Sequence, residues 1–465
     1  GDCTGGANVS AGLYYNCTFT GSSSLDNAPK GFFNCLMTKT CNTPGLMTNC
    51  LTTANLTGMG EGSEVVTAAQ LVLATSRPRR TSVAVNRSVD GYYDDAFPSA
   101  DLPDEKDLDL DRNARKVGSA LDVGAYECQN LNPGHYYVDA EKGDDEADGK
   151  TADTARQSLA AICSLADILA GDTIHAAPGV YSNKTQTVSG ATYRCVIPDG
   201  VKLVADGSRD ETVIEGAPAE GVSLTESPWG CGTGAIRGVY LGEKSQVRGF
   251  TIRKCYGPAF TSSTYGAATV GDGGYVIDCH LTGNVSGRGA ALSSTTAVRC
   301  LFDGNRGGWT GADSQGGNAF NCVFGAFSGI YNVSGGTYCN CTFYDGGSAD
   351  YNETGCYNCL VLKTSSSPDK LIQSICTGTS SGLGPGSKFV RASDVFVKNG
   401  FVPYRGSPAV NGGSNELYAA AFPSADLPDE ADKDFFGRPR LVGAVDVGAV
   451  ECTGSETPFA FYVNA

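Results

Sequence analysis

Four aspartates and three arginines, Asp272, Asp278, Asp303 and Asp313 with Arg288, Arg299 and Arg306, are spaced so that they could share one face of neighbouring structural repeats. Carboxylates held beside a guanidinium are what sugar-chain cleavage requires, either as an acid and base pair or as a cation site next to a basic arginine. Scattered solvent-facing charge accounts for the same pattern more readily. Two acidic runs, Asp90 to Asp111 and Asp426 to Asp434, place several aspartates close together. Oxygen-rich loops of this kind hold calcium. Asp101, Asp104, Asp426 and Asp429 are the candidate ligands, although their spacing matches no EF-hand, and no other cofactor is expected.

Three histidines starve most proton-shuttle or zinc schemes, and His175 and His280 read as incidental. Cys356-Tyr-Asn-Cys359 is a lone CxxC whose members would face opposite sides of a strand, and no second pair completes a zinc site. Of the 19 cysteines, Cys163, Cys195 and Cys231 stand outside any repeat and are the disulfide candidates.

The remaining cysteines reveal the elements that must position these groups. Cys279, Cys300, Cys322, Cys341 and Cys359 recur at intervals of 21, 22, 19 and 18 residues, each within a short apolar segment. One cysteine per coil of a β-solenoid accounts for that period. Strand alternation then puts Cys279 with Leu281, Cys300 with Phe302, Cys322 with Phe324, Cys341 with Phe343 and Cys359 with Val361 on the inward face, as buried thiols. Gly283-Asn284 and Gly304-Asn305 supply the positive φ angles of the turns. Composition agrees: 62 glycines, only 18% charged residues and abundant β-branched and aromatic residues favour short strands and many turns. The expected fold class is all-β, a right-handed parallel β-helix. A helical pattern from Thr154 to Gly171, through Leu159, Ile162, Ala166 and Leu169 with Gly171 as C-cap, would cover the first coil.

A longer repeat organises the whole chain. Phe97 to Glu105 reads FPSADLPDE, and Phe422 to Glu430 reads the same, 325 residues on. Asp122-Val-Gly-Ala-Tyr-Glu-Cys128 matches Asp446-Val-Gly-Ala-Val-Glu-Cys452, and Tyr136-Tyr-Val-Asp-Ala140 matches Phe461-Tyr-Val-Asn-Ala465. Residues 1–132 read as the C-terminal part of one unit, 133–452 as a complete unit, and 453–465 as a linker and the first strand of another.

Tyr136-Tyr-Val-Asp139 and Ala161 to Tyr181 resemble the entry segment of bacterial right-handed parallel β-helix proteins of the pectin-lyase-like superfold. Ser407-Pro-Ala-Val-Asn411, Gly437-Arg-Pro-Arg440 and Asp446-Val-Gly-Ala-Val-Glu451 resemble the closing segment of the choice-of-anchor Q type. The resemblance implies an exported, extracellular or cell-surface setting and no particular activity, since this superfold hosts enzymes and fibre proteins alike.

The functional expectation is a structural or adhesive scaffold, a segment of a tandem-repeat surface protein. At one coil per ~4.8 Å, about ten coils make a rod of roughly 50 Å per unit. Copies would join end to end through Phe459, Phe461, Tyr462 and Val463, since an open coil edge recruits a strand. The alternatives are a polysaccharide lyase or glycoside hydrolase, or a non-catalytic glycan-binding module for which Trp309 in its Gly-rich loop is the cue. A net charge of -16 makes nucleic acid an unlikely partner, and no apolar run is long enough to insert in a membrane as a helix.

Overall fold

The computed structural model describes residues 12–20, 30–38, 40–99, 101–309, 311–325, 327–328, 331–344, 348–350, 355–362, 365, 367–379, 381–395, 397–398, 402–441 and 443–452. Phe459, Phe461, Tyr462 and Val463 lie outside the described residues. The chain divides into two units, 1–133 and 134–465.

The second unit is a right-handed parallel β-helix. Its coils contribute to two ten-stranded sheets ordered by successive coils, and to one of eight strands that opens with an antiparallel hairpin of Gln186–Val188 and Ala191–Ile197 before the parallel coils follow. The first sheet starts at His135–Val138 and reaches Leu371–Ile372; the second runs from Gly179–Tyr181 to Lys388–Phe389. Parallel neighbours sit in register, so one inward column of the second sheet passes through Ile214, Ile252, Leu281, Phe302, Phe324, Phe343, Val361 and Cys376. Phe302, Phe324 and Phe343 stack face to face along it, with centroids 4.5 and 4.7 Å apart. Burying each such ring is worth roughly 1.5–3 kcal/mol, which holds the coils together where two- and three-residue strands alone could not.

The cysteine repeat marks corners. Tyr275–Ile277 lies in the first sheet and His280–Thr282 in the second, with Asp278 between them at φ 56°. Arg299, Asn321, Asn340 and Asn358 occupy the same left-handed corner in later coils. The residue after each corner, Cys279, Cys300, Cys322, Cys341 or Cys359, points inward and is fully buried. In this column the sulfur also accepts a backbone bond, as when Cys300 N–H donates to Cys322 Sγ at 3.3 Å. Burial holds the Cys279 and Cys341 thiols well above their ordinary pKa, as protonated fillers. The corner at Asn358 also corrects the CxxC reading: the left-handed turn cancels strand alternation, and both Cys356 and Cys359 enter the core. The disulfide reading of Cys163, Cys195 and Cys231 is corrected as well. All three are free thiols, and Cys231 belongs to a different apolar cluster from the other two.

At the other corner, Gly283 and Gly304 take the positive φ angles, while Asn284 and Asn305 turn inside. Asn284 Nδ2 donates to Asn305 Oδ1 at 2.9 Å, and Asn305 Nδ2 to Asp313 Oδ1 at 2.8 Å. Burial raises the Asp313 carboxyl well above the usual range, so it belongs to the core and not to a reactive face.

The entry helix is shorter than the sequence pattern suggests, spanning only Leu159–Cys163. Ser158 caps it through its hydroxyl, which accepts from Ala161 N–H at 3.2 Å. Ser164 then donates its hydroxyl to Ala160 O, and the chain leaves the helix. Ile168 is the buried residue of the next turn and Ala166 is exposed; Gly171 donates its N–H to Gly200 O in the following coil instead of capping a helix. Leu159, Ile162 and Cys163 still pack on Tyr136 and Val138, covering the first coil.

A closing module of residues 402–452 lies on the outward faces of these sheets. Tyr418, Phe422, Leu427 and Val445 cover Tyr275, Ile277, Val298 and Phe320. The corner asparagines read its backbone: Asn340 Nδ2 donates to Asp446 O, and Asn358 Nδ2 to Ser414 O. Within the module, Asp446 accepts from Asn411 and Cys452 N–H, Asp434 from Phe436, Arg438 and Glu451 N–H, and Glu451 from Asp446 N–H. Buried Arg440 donates through Nη2 to Asp446 O and Gly448 O. The first unit carries the same module on a shorter stack of three- and four-stranded sheets. There Asn16 reads Asp122 O, Asn34 reads Val89 O, and Asp109, Arg115, Asp122 and Glu127 occupy the matching polar core.

This polar core makes stability depend on pH. Burial pushes Glu127 and Glu451 up to about 7 against partial relief from backbone N–H groups and from Arg115 and Arg440. A raised folded-state pKa favours the folded chain most at low pH, and that contribution is lost as pH rises from about 4.5 through about 7. Thermal melts followed by circular dichroism should therefore show midpoints several degrees lower at pH 8 than at pH 5.5. Glu451→Gln should flatten the slope for the second unit.

Candidate functional site

A cleft on the surface of the second unit lies where three elements meet: the corner column of the early coils, the loop before Thr212–Glu215, and the closing module. Arg248 ends the strand Gln246–Arg248, Asp278 and Arg299 stand at the corners of the next two coils, and Glu430, Lys433, Phe435 and Phe436 come from the module. With Arg209 they line a cleft of about 480 Å³.

Glu430 is the hub. It is 5% exposed, and its two oxygens meet Arg248 Nη2 and Arg299 Nη2, each at 2.7 Å, with Lys433 Nζ at 3.3 Å. Burial alone would raise its pKa; the Arg248 hydrogen bond and the charges of Arg299, Arg248 and Lys433 hold it below the ordinary value. Arg299 also forks onto Asp278, with Nε and Nη2 at 2.7 and 2.8 Å from its two oxygens. Both carboxylates of the cleft are thereby committed to guanidinium groups. Arg209 lies with its guanidinium carbon 5.8 Å from the centre of the Phe435 ring and has no ion-pair partner among the described residues. Four cations against two carboxylates leave the cleft positive within a chain of net charge -16.

Of the seven residues singled out for sugar chemistry, only Asp278 and Arg299 come together. Asp272 accepts from the Tyr240 hydroxyl, Asp313 is inside the core, Arg306 lies over Trp229 and Arg288 over Tyr265. Trp309 tilts against Phe260, which also packs on Trp229. The calcium candidates are on the surface. Asp101, Asp104 and Asp429 are exposed, and Asp426 pairs with Lys244 at 3.1 Å and accepts from Tyr275 Oη at 2.6 Å. No group of three or more His, Cys, Asp or Glu side chains among the described residues could hold a metal ion.

His175 is less incidental than its sequence position suggests. Its Nδ1 bonds Asp206 Oδ1 at 2.9 Å and its Nε2 meets His135 Nδ1 at 3.0 Å, a string of three titratable groups beside the Tyr137 ring. His280 has its Nε2 buried without a protein partner, and burial together with the Arg209 charge lowers its pKa.

Sequence reasoning missed Arg209, Arg248, Glu430, Lys433, Phe435 and Phe436. The Arg248 to Glu430 bond joins residues 182 apart, and no local pattern announces such a pair. The one signal was indirect: Glu430 closes the repeated FPSADLPDE run.

No family model and no curated protein matches the chain. Among solved structures, a rhamnogalacturonan lyase is 15% identical over 52% of this chain and 68% of its own, with a TM-score of 0.30. Pectin methylesterase PemA from Erwinia chrysanthemi is 15% identical over 53% of this chain and 71% of its own, with a TM-score of 0.26.

Proposed function

We propose that the chain is a non-catalytic scaffold, a segment of an exported tandem-unit surface protein whose rigid coils display and adhere. The observation that carries this reading is Glu430. A cleavage site needs a carboxyl free to give or take a proton near neutrality, whereas Glu430 is fixed as a carboxylate by three cations and serves as the clamp between coils and closing module. The closing modules, read as choice-of-anchor Q-type segments, repeat the same polar core in both units, as a reused structural part would. End-to-end association belongs to the same reading: His135–Val138 opens the first sheet of its unit, and the sequence Phe461-Tyr-Val-Asn464 repeats Tyr136-Tyr-Val-Asp139.

Two measurements on the purified chain test it. Light scattering across a concentration series should show linear association that Phe461→Asp and Val463→Asp weaken; a monomer at all concentrations sinks the assembly. Incubation with pectic and other acidic polysaccharides should release no unsaturated or reducing ends. Release that Arg248→Ala abolishes would establish a lyase or hydrolase instead.

A further inference from the structure

We propose that His135 and His175 bind one divalent transition-metal ion of the kind that prefers right-angled coordination, nickel(II) or copper(II), with Asp206 as the positioning residue behind His175. The strands dictate the pairing. Tyr136 and Val138 of the strand His135–Val138, and Ile174 and Ala176 of Thr173–Ala176, face the core, so alternation puts His135, Tyr137, Thr173 and His175 outside. The parallel register sets His135 beside Thr173 and Tyr137 beside His175, which makes the two histidines diagonal neighbours. Their ring nitrogens meet, His135 Nδ1 standing 3.0 Å from His175 Nε2. Two of the chain's three imidazoles thus converge on one point of the outer surface.

The Asp206 carboxylate can only accept, so His175 Nδ1 carries the proton of their 2.9 Å bond, and neutral His175 keeps its lone pair on Nε2. Metal-bound histidines are oriented in this way by a carboxylate behind them. The Tyr137 ring, stacked at 5.2 Å and 20°, holds the His175 plane from the side. His135 donates from Nδ1 into the His175 lone pair. When an ion enters, that proton passes through water to Nε2 of the same exposed ring, and both imidazoles remain neutral ligands. The nitrogen separation selects the ion. At metal–nitrogen bonds of about 2.0–2.1 Å, a right-angled pair stands about 2.9 Å apart and a tetrahedral pair roughly 3.3 Å. The observed 3.0 Å fits tetragonal nickel(II) or copper(II) better than tetrahedral zinc(II). Water completes the coordination at this exposed position, and a net charge of -16 favours the approach of a cation.

The whole chain, with isotope-labelled histidine, should be titrated by calorimetry and NMR with nickel(II), zinc(II) and calcium at physiological ionic strength. Nickel(II) is the probe because it leaves cysteine thiols unoxidised. One saturable nickel(II) site is expected, tighter than zinc(II) and indifferent to calcium, with paramagnetic broadening of the His135 and His175 signals and not of His280. His135→Ala and His175→Ala should each weaken nickel(II) binding by about tenfold or more, and Asp206→Ala by about tenfold, as loss of the carboxylate behind a metal-bound histidine does. Asp206→Ala should also shift the His175 tautomer in the metal-free chain, read from its ring nitrogen signals. Unchanged melting curves verify that these surface variants fold. The proposal fails if nickel(II) shows no saturable site, if either histidine variant binds as the unaltered chain does, or if calcium displaces nickel(II). Tighter binding of zinc(II) would mean that the rings swing apart to a tetrahedral angle and would overturn the choice of ion. Unchanged affinity and tautomer in Asp206→Ala would overturn its positioning role.

Discussion

Replacing Arg440 with alanine should cost the second unit about 3–5 kcal/mol, the range for removing one partner from a buried charged network. Arg440 is fully buried, and its Nη2 serves the carbonyls of Asp446 and Gly448 at 2.8 and 2.7 Å, with Nε 3.7 Å from Glu451. Alanine would strand two buried carbonyls and a carboxylate and leave a cavity the size of the side chain. Because the module covers Tyr275, Ile277, Val298 and Phe320, its loosening should expose an apolar sheet face. Chemical denaturation should show an earlier transition, and hydrogen exchange should accelerate in residues 402–452 before the coils. Lysine should rescue little, since its ammonium ends about where Cζ of Arg440 lies and falls short of Nη2, the one atom that serves both carbonyls. A loss below about 1 kcal/mol would mean the module is held by its apolar contacts alone.

Phe324→Ala should be comparably damaging, at about 3–5 kcal/mol. Phe324 is fully buried between Phe302 and Phe343, with Tyr338 edge-on at 5.9 Å. In a solenoid each coil leans only on its neighbours, so the cavity would uncouple the coils on either side rather than soften the whole unit evenly. Urea unfolding should be less cooperative than in the unaltered chain, and coils C-terminal to the cavity should exchange amide hydrogens first. Phe324→Leu, which keeps most of the volume, should retain cooperativity. Unbroken cooperativity in the alanine variant would mean that the closing module, not the inner column, couples the coils.

Particular residues show how far the sequence could be read. Inward placement of Cys279 with Leu281 and Cys300 with Phe302 was legible because a coil repeats a local pattern, and stacking in register turns that pattern into a column. The same local logic failed at Cys356 and Cys359, where the positive φ of Asn358 reverses the facing of the chain; the Asn-Cys pair was visible at Cys322, Cys341 and Cys359, but its corner geometry was not. The entry helix was overextended because apolar spacing continues beyond Cys163, while the Ser164 bond to Ala160 O and the Gly171 bond to the next coil compete for the backbone.

Periodicity alone specifies the β-helix, its inward column and the recurrence of the closing module, because each depends on residues within about one coil of each other or on direct repetition. The cleft is a different kind of object. Arg248, Arg299 and Glu430 meet only when the module folds back over coils laid down well before it, and which acidic residue finds which guanidinium depends on that docking. Tertiary structure likewise decided that Asp313 is core, that Asp426 pairs with Lys244, and that Arg209 is left with its charge unspent. Charge placed by long-range packing leaves no period to read, and in this chain that is where the candidate chemistry lies.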